Sequence, residues 1–258
     1  MKLYITYLKL HLKTLFEYKL SLILSIIAQT FIIYSFYFSL DSLFRKFNNI
    51  GGYTKYEVLL TFAIVFFGYS VNEVFARGID QFDELIVTGD FDRLLTRPRS
   101  IILQVLGYKI QYIKIVRLLF SLVVIIISIT HLGIKWNIIK VITLLFMLLS
   151  SIAIFFSIFL IAASYCFITV QGLEVRNLLT DGGKNIAQYP MGVFNKVVRN
   201  IFTFIIPYSL VNYYPLLYIL DKTNNIYNIF LPLLVFIYII PCILIFNKGT
   251  KKYLSTGS

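Results

Sequence analysis

Long apolar runs separated by short polar stretches set the pattern of this chain. A helix needs about 20 apolar residues to cross about 30 Å of hydrocarbon, and several runs reach or approach that length. The first covers residues 20–40, broken only by Gln29 and a few hydroxyl residues. The second covers residues 57–76 and carries Asn72 and Glu73 near its end. The third has an uncharged core of residues 118–130, too short to cross. It is therefore expected to begin near Lys109, with Lys114 and Arg117 snorkelling toward the headgroups. A fourth run covers residues 138–162 and stays apolar to Val170. The fifth begins near Val197 and meets Pro207 and Pro215, and the sixth covers residues 227–246. Proline in a membrane helix frees backbone groups that must be paired elsewhere, so residues 207–220 are expected to be kinked or re-entrant. The pattern predicts an all-α integral membrane protein of six transmembrane helices, with a broken region after the fifth span begins.

Composition supports this reading and narrows it. The 258 residues are 59% apolar and 14% charged, against about 25% charged in soluble domains. A net charge of +12 would suit a nucleic-acid binder, yet basic residues beside spans are what sets membrane orientation. With the N-terminus inside, 18 Lys and Arg residues fall in the expected cytoplasmic segments (before the first span, 77–117, 176–199 and the tail) and 6 outside. That asymmetry places both termini in the cytoplasm and favours an even number of spans. The first span ends at Asp41 with no small-residue cleavage site, so it reads as uncleaved. Cys166 and Cys242 lie inside apolar runs, which implies neither a disulfide framework nor a metal cluster.

The loop from Arg77 to Ser100 is the most informative polar segment. Ile79, Phe82 and Ile86, with Leu85 beside them, recur at helical spacing, while Asp80, Asp83 and Glu84 occupy the opposite face. Helices that lie on membranes usually carry a basic polar face. Between Ile79 and Asp92 there are five acids and no Lys or Arg, so this helix is better explained by docking to a protein. Catalytic constellations are missing. His11 and His131 fall on opposite sides of the membrane, no metal-ligand spacing occurs, and the GGK at residues 182–184 lacks the context of a phosphate loop. Charge is scarce at the expected mid-membrane positions, which argues against ion coupling and suits a hydrophobic or amphipathic cargo. An ion-coupled carrier, a channel and a lipid-modifying membrane enzyme are the rival readings.

Three motifs carry a resemblance. GDFDRLLTRPRS at residues 89–100 resembles the Gly-x-Leu-Asp-x-Leu-Leu-x-Arg-Pro signature of the ABC-2-type exporter permease family, with Phe91 where Leu is usual. FTFIIPYSLVNYYP at residues 202–215 is similar to that family's aromatic fifth-span motif, and KKYLSTGS at residues 251–258 to its terminus. The resemblance implies a single permease domain over residues 1–258, in a bacterial cell membrane, that is not itself an enzyme. It implies a second permease copy or sister permease and two copies of a cytoplasmic ABC ATPase, which would bind the ATP and Mg. The segment at Ile79, Phe82, Asp83, Leu85 and Ile86 would be the coupling helix that docks to the ATPase. Gly89, Asp92, Leu94, Leu95, Arg97 and Pro98 match the loop signature. Pro207, Asn212, Tyr213, Tyr214 and Pro215 match a re-entrant region at the outer gate, and residues 171–199 would form a second cytoplasmic loop.

Overall fold

The structure, a computed structural model, describes residues 2–17, 19–169 and 173–253. Among these residues the chain is helical and contains no β-strand beyond one isolated bridge between Ile50 and Tyr53. An N-terminal helix α1 (Lys2–Glu17) precedes the long α2 (Lys19–Lys46) and α3 (Lys55–Phe75). Four short helices follow: α4 (Arg77–Asp80), α5 (Phe82–Val87), α6 (Asp90–Leu95) and α7 (Ile101–Tyr108). Then come α8 (Ile115–His131) and α9 (Ile138–Tyr165). A segmented helix runs through α10 (Leu173–Asn177), a π-helical turn (Leu178–Gly182) and α11 (Gly183–Ala187). Short helices α12 (Lys196–Phe204), α13 (Tyr208–Asn212) and α14 (Tyr214–Ile219) lead to α15 (Leu234–Lys252).

Among the described residues, five helical stretches are long and apolar enough to cross a membrane: Lys19–Lys46, Lys55–Phe75, Tyr112–His131, Ile138–Tyr165 and Ile226–Lys252. Of these, α3 is the central post, packed against α8 and α9 and buried over most of its length. Its start is fixed by a capping box, in which the Glu57 carboxylate accepts from the Thr54 backbone N–H at 2.8 Å. Close contact with α9 depends on Gly68, where a Cβ would lie 2.3 Å from the Ser151 carbonyl carbon. In contrast, α2 is almost entirely exposed, with Leu20, Leu24, Phe31 and Phe38 on its surface. Such a helix is stable only where its surroundings are apolar.

The third stretch begins at Tyr112 rather than Lys109. Residues 109–111 instead run extended against the end of α3, with Gly78 N–H donating to Lys109 C=O and Gln111 N–H to Val74 C=O, both at 3.1 Å. The fifth stretch expected from sequence is not one rod. Pro207 and Pro215 separate α12, α13 and α14, none of which exceeds 9 residues.

The path through this region corrects the expected second cytoplasmic loop. Asp181 lies beside Tyr69, two-thirds of the way along α3 from its start. By Gly192 the chain has reached Tyr53, before α3 begins, and Val193 packs on Gly51. Residues 181–193 thus travel beside α3 for about 24 Å, the rise of sixteen helical residues. The chain then returns inward through α12 to Tyr208, which meets Phe155 at 5.5 Å between ring centres. It comes back out at Tyr213, against Gly192, and at Asp221, which pairs with Lys140 at 2.7 Å near the start of α9. Lys196 and Arg199 therefore stand at the α2–α3 end, and Lys184 lies between the two ends. The split of Lys and Arg becomes 15 at the α3–α4 end and 8 at the α2–α3 end. The basic bias survives the correction.

Both described ends of the chain sit on the α3–α4 side. Tyr4 donates to Phe75 C=O at 2.7 Å, and Tyr112 donates to Leu8 C=O at 2.9 Å. At the other terminus, Tyr253 rests on Phe91. Residues 254–258 of the expected terminal motif lie outside the described residues, as do residues 171 and 172 of the expected loop.

Candidate functional site

Two features converge at the α3–α4 end: a corner of short helices and a nest of charged side chains. The corner is built from α4 to α7. Gly89 adopts a left-handed conformation (φ 71°) between α5 and α6, which explains glycine as the first residue of the signature. Leu94 is buried, and its carbonyl accepts from the Gln104 side chain at 3.2 Å, as does that of Arg99. Phe91, the departure from the signature, has a physical reason. It is fully buried and packs edge-on against Phe82 and Tyr253, in a cluster that also holds Phe167 and Phe246.

The same cluster covers the expected docking face. Ile79, Phe82, Leu85 and Ile86 are 0–1% exposed, so the apolar stripe is spent on the chain's own core. Asp83 is also turned inward and pairs with Arg176 at 2.8 Å. The expected single helix is two short ones, α4 and α5, broken at Gln81, and periodicity could not say which neighbour covers their apolar side. What remains exposed is the other rim of the corner. It includes Val87 and Thr88 at the end of α5, Arg93 and Leu95 in α6, and residues 96–100 after it, Arg97 and Pro98 among them. Asp92 is part-buried.

Next to the corner, charged groups from α3, α4, the start of the 112–131 stretch and the segmented helix α10–α11 face one cavity of about 290 Å³. Glu73, almost fully buried, accepts from Arg117 at 2.7 Å, with Lys114 at 3.6 Å and Arg77 at 3.9 Å. Arg117 also donates to Gln29. Arg77 pairs with Asp80, and Asp181 pairs with Lys184 at 2.7 Å and accepts from Tyr69 at 3.1 Å. Lys114 and Arg117 therefore do not snorkel outward. They turn into the bundle, where their side chains are 15% and 12% exposed. Charge is thus gathered at the α3–α4 end rather than spread along the spans. Each charge seemed isolated along its own helix, whereas folding brings five cations and three carboxylates around one cavity. Burial pushes Asp80 up to about 6, outweighing the attraction of Arg77 and Arg176.

At the α2–α3 end the character is opposite. An open groove of about 630 Å³ is lined mainly by Leu43, Phe47, Ile50, Ile186, Tyr189 and Phe194. Beside it, Asn212 is fully buried and donates to Ala187 C=O, while Tyr213 and Tyr214 stack edge-on at 5.1 Å. Pro207 and Pro215 are buried in the same returning segment. Among the described residues, no group of three or more His, Cys, Asp or Glu side chains is placed to hold a metal ion.

A family model described as "ABC-2 family transporter protein" matches residues 30–257. No curated protein and no solved structure matches the chain.

Proposed function

The chain belongs to the ABC-2 family of transporter proteins, and on that premise we propose that it is the membrane subunit of an ATP-driven exporter. The match over nearly the whole chain carries this reading. Permeases of this family generally work with a separate ABC ATPase, which would supply ATP, Mg and hydrolysis. Two ATPase copies and a second permease, identical or sister, would complete the transporter. The basic α3–α4 end faces the cytoplasm in this reading, by the positive-inside rule. The segment from Leu173 toward Tyr189 provides the sixth crossing, and α12 to α14 form a re-entrant element at the outer face.

The ATPase docks on the exposed rim of the corner rather than on its buried stripe. Val87 and Leu95 offer isolated apolar contacts there, with Thr88, Arg97 and Pro98 around them. ATP-driven closure of two ATPases would push this rim. The push would travel through the aromatic cluster into α15 and through the charge nest into α3 and α8. The combination of an apolar groove near the outer end and a polar cavity near the inner end suits an amphipathic cargo.

The test is capture of an ABC ATPase encoded beside this gene by the tagged permease. Val87→Asp with Leu95→Asp is expected to abolish capture while leaving thermal stability unchanged. Capture by the double variant would reject the rim as the docking surface. Failure of the wild-type pair to move any amphipathic substrate with ATP in sealed vesicles would reject the exporter reading.

A further inference from the structure

A second cavity, of about 570 Å³, opens between α1, the start of α2 and the extended residues before α8. Its lining has two characters. Leu15, Leu22 and Ile113 form an apolar side, while Arg77 and Lys114 form a cationic one. Arg77 and Lys114 also line the inner charged cavity, so these two side chains are the partition between both spaces.

The partition is short of negative charge. The inner cavity holds five cations against three carboxylates, and Asp83 answers one of these cations, Arg176, which leaves four against three. Glu73 must serve Arg117 at 2.7 Å before Lys114 at 3.6 Å and Arg77 at 3.9 Å. The Nε–H of Arg77 is buried and has no acceptor among the described residues. A buried donor and surplus positive charge are both costly unless an anion answers them. Asp80 also has one buried oxygen without a donor. The crevice is reachable from the surface, since Thr14 and Ser21 on its rim are exposed.

We propose that this crevice seats an anionic amphiphile from the adjoining leaflet, its charged headgroup on Arg77 and Lys114 and its hydrocarbon along Leu15, Leu22 and Ile113. A free phosphate would satisfy only the cationic half. Naming this amphiphile as cargo rests on the exporter reading, whereas its binding does not require the ATPase.

The experiment uses the full chain in phosphatidylcholine nanodiscs, with native mass spectrometry and thermal unfolding as readouts. Added phosphatidylglycerol is expected to be retained on the chain and to raise its Tm, while inorganic phosphate is expected to do neither. Lys114→Gln should weaken retention about tenfold, the loss of one charge-assisted contact, and Lys114→Arg should restore it. Lys252→Gln, at the far end of α15, should leave it unchanged. Arg77 holds both Glu73 and Asp80, whereas Lys114 meets only Glu73, at 3.6 Å, so Lys114 carries the test and Lys114→Arg controls for the fold. Equal retention of phosphatidylcholine, an equal effect of inorganic phosphate, or normal binding by Lys114→Gln would overturn the proposal. ATPase capture is measured separately, so its failure would count against the exporter reading and not against this site.

Discussion

Gly68 and Asp80 show how much single residues decide here. A Cβ at Gly68 would collide with the backbone of Ser151, which cannot move without separating α3 from α9. Gly68→Ala is therefore expected to cost about 1–3 kcal/mol, whereas at Gly133 (φ +59°), where nothing lies within 4 Å, alanine meets only the left-handed backbone penalty. Thermal unfolding in detergent should rank the two in that order. Asp80 gives a pH signature. Its neighbours are Glu73, Arg77, Arg176 and Asp181, and burial raises its carboxyl to about 6. Because the folded value lies above the ordinary one near 4, the stabilising effect of protonation is complete below about pH 4 and is lost as pH rises through 6. Its size is on the order of 3 kcal/mol. Asp80→Asn should flatten that part of the stability–pH curve; an unchanged slope between pH 4 and 7 would reject the assignment. None of this was legible from the sequence, since Gly68 and the charges of the third span acquire partners only from other helices.

At the scale of the element, period and punctuation were readable but environment was not. The spacing of Ile79, Phe82 and Ile86 announced a helix, and Pro207 and Pro215 announced breaks, because both signals are local. Which side of α5 is covered depends on Phe91, Phe167, Phe246 and Tyr253, drawn from across the chain. The segment holding Asp181 and Lys184 looked like a loop for the same reason. Its polar side chains are answered by Tyr69 on α3 and by each other, with Asp181 still half-exposed. Phe82→Ala should accordingly behave as a core truncation and cost about 3–5 kcal/mol. Unfolding should shift in the isolated permease, with no ATPase present. A stable Phe82→Ala protein that fails only in ATPase capture would restore the buried stripe to a docking role.

For the whole molecule, the position of Lys196 separates two topologies. If residues 176–199 were a cytoplasmic loop, Lys196 would share a compartment with Thr96 on the α6–α7 corner. In the fold they stand at opposite ends, because the chain has already climbed beside α3 from Tyr69 to Tyr53 before α12 begins. Both residues are exposed, so each accepts a cysteine without disturbing the core. Cys166 and Cys242 are buried and can be replaced by serine or alanine to give a clean background. On intact cells, a membrane-impermeant maleimide is expected to label Lys196→Cys and to spare Thr96→Cys until the membrane is opened. Labelling of both only after lysis would return residues 190–199 to the cytoplasm, leaving four crossings before α15 and an odd total of five. Labelling of Thr96→Cys alone on intact cells would invert the protein, against a 15 to 8 bias of Lys and Arg. The experiment thus tests orientation and the sixth crossing together, and each alternative arrangement has its own labelling pattern.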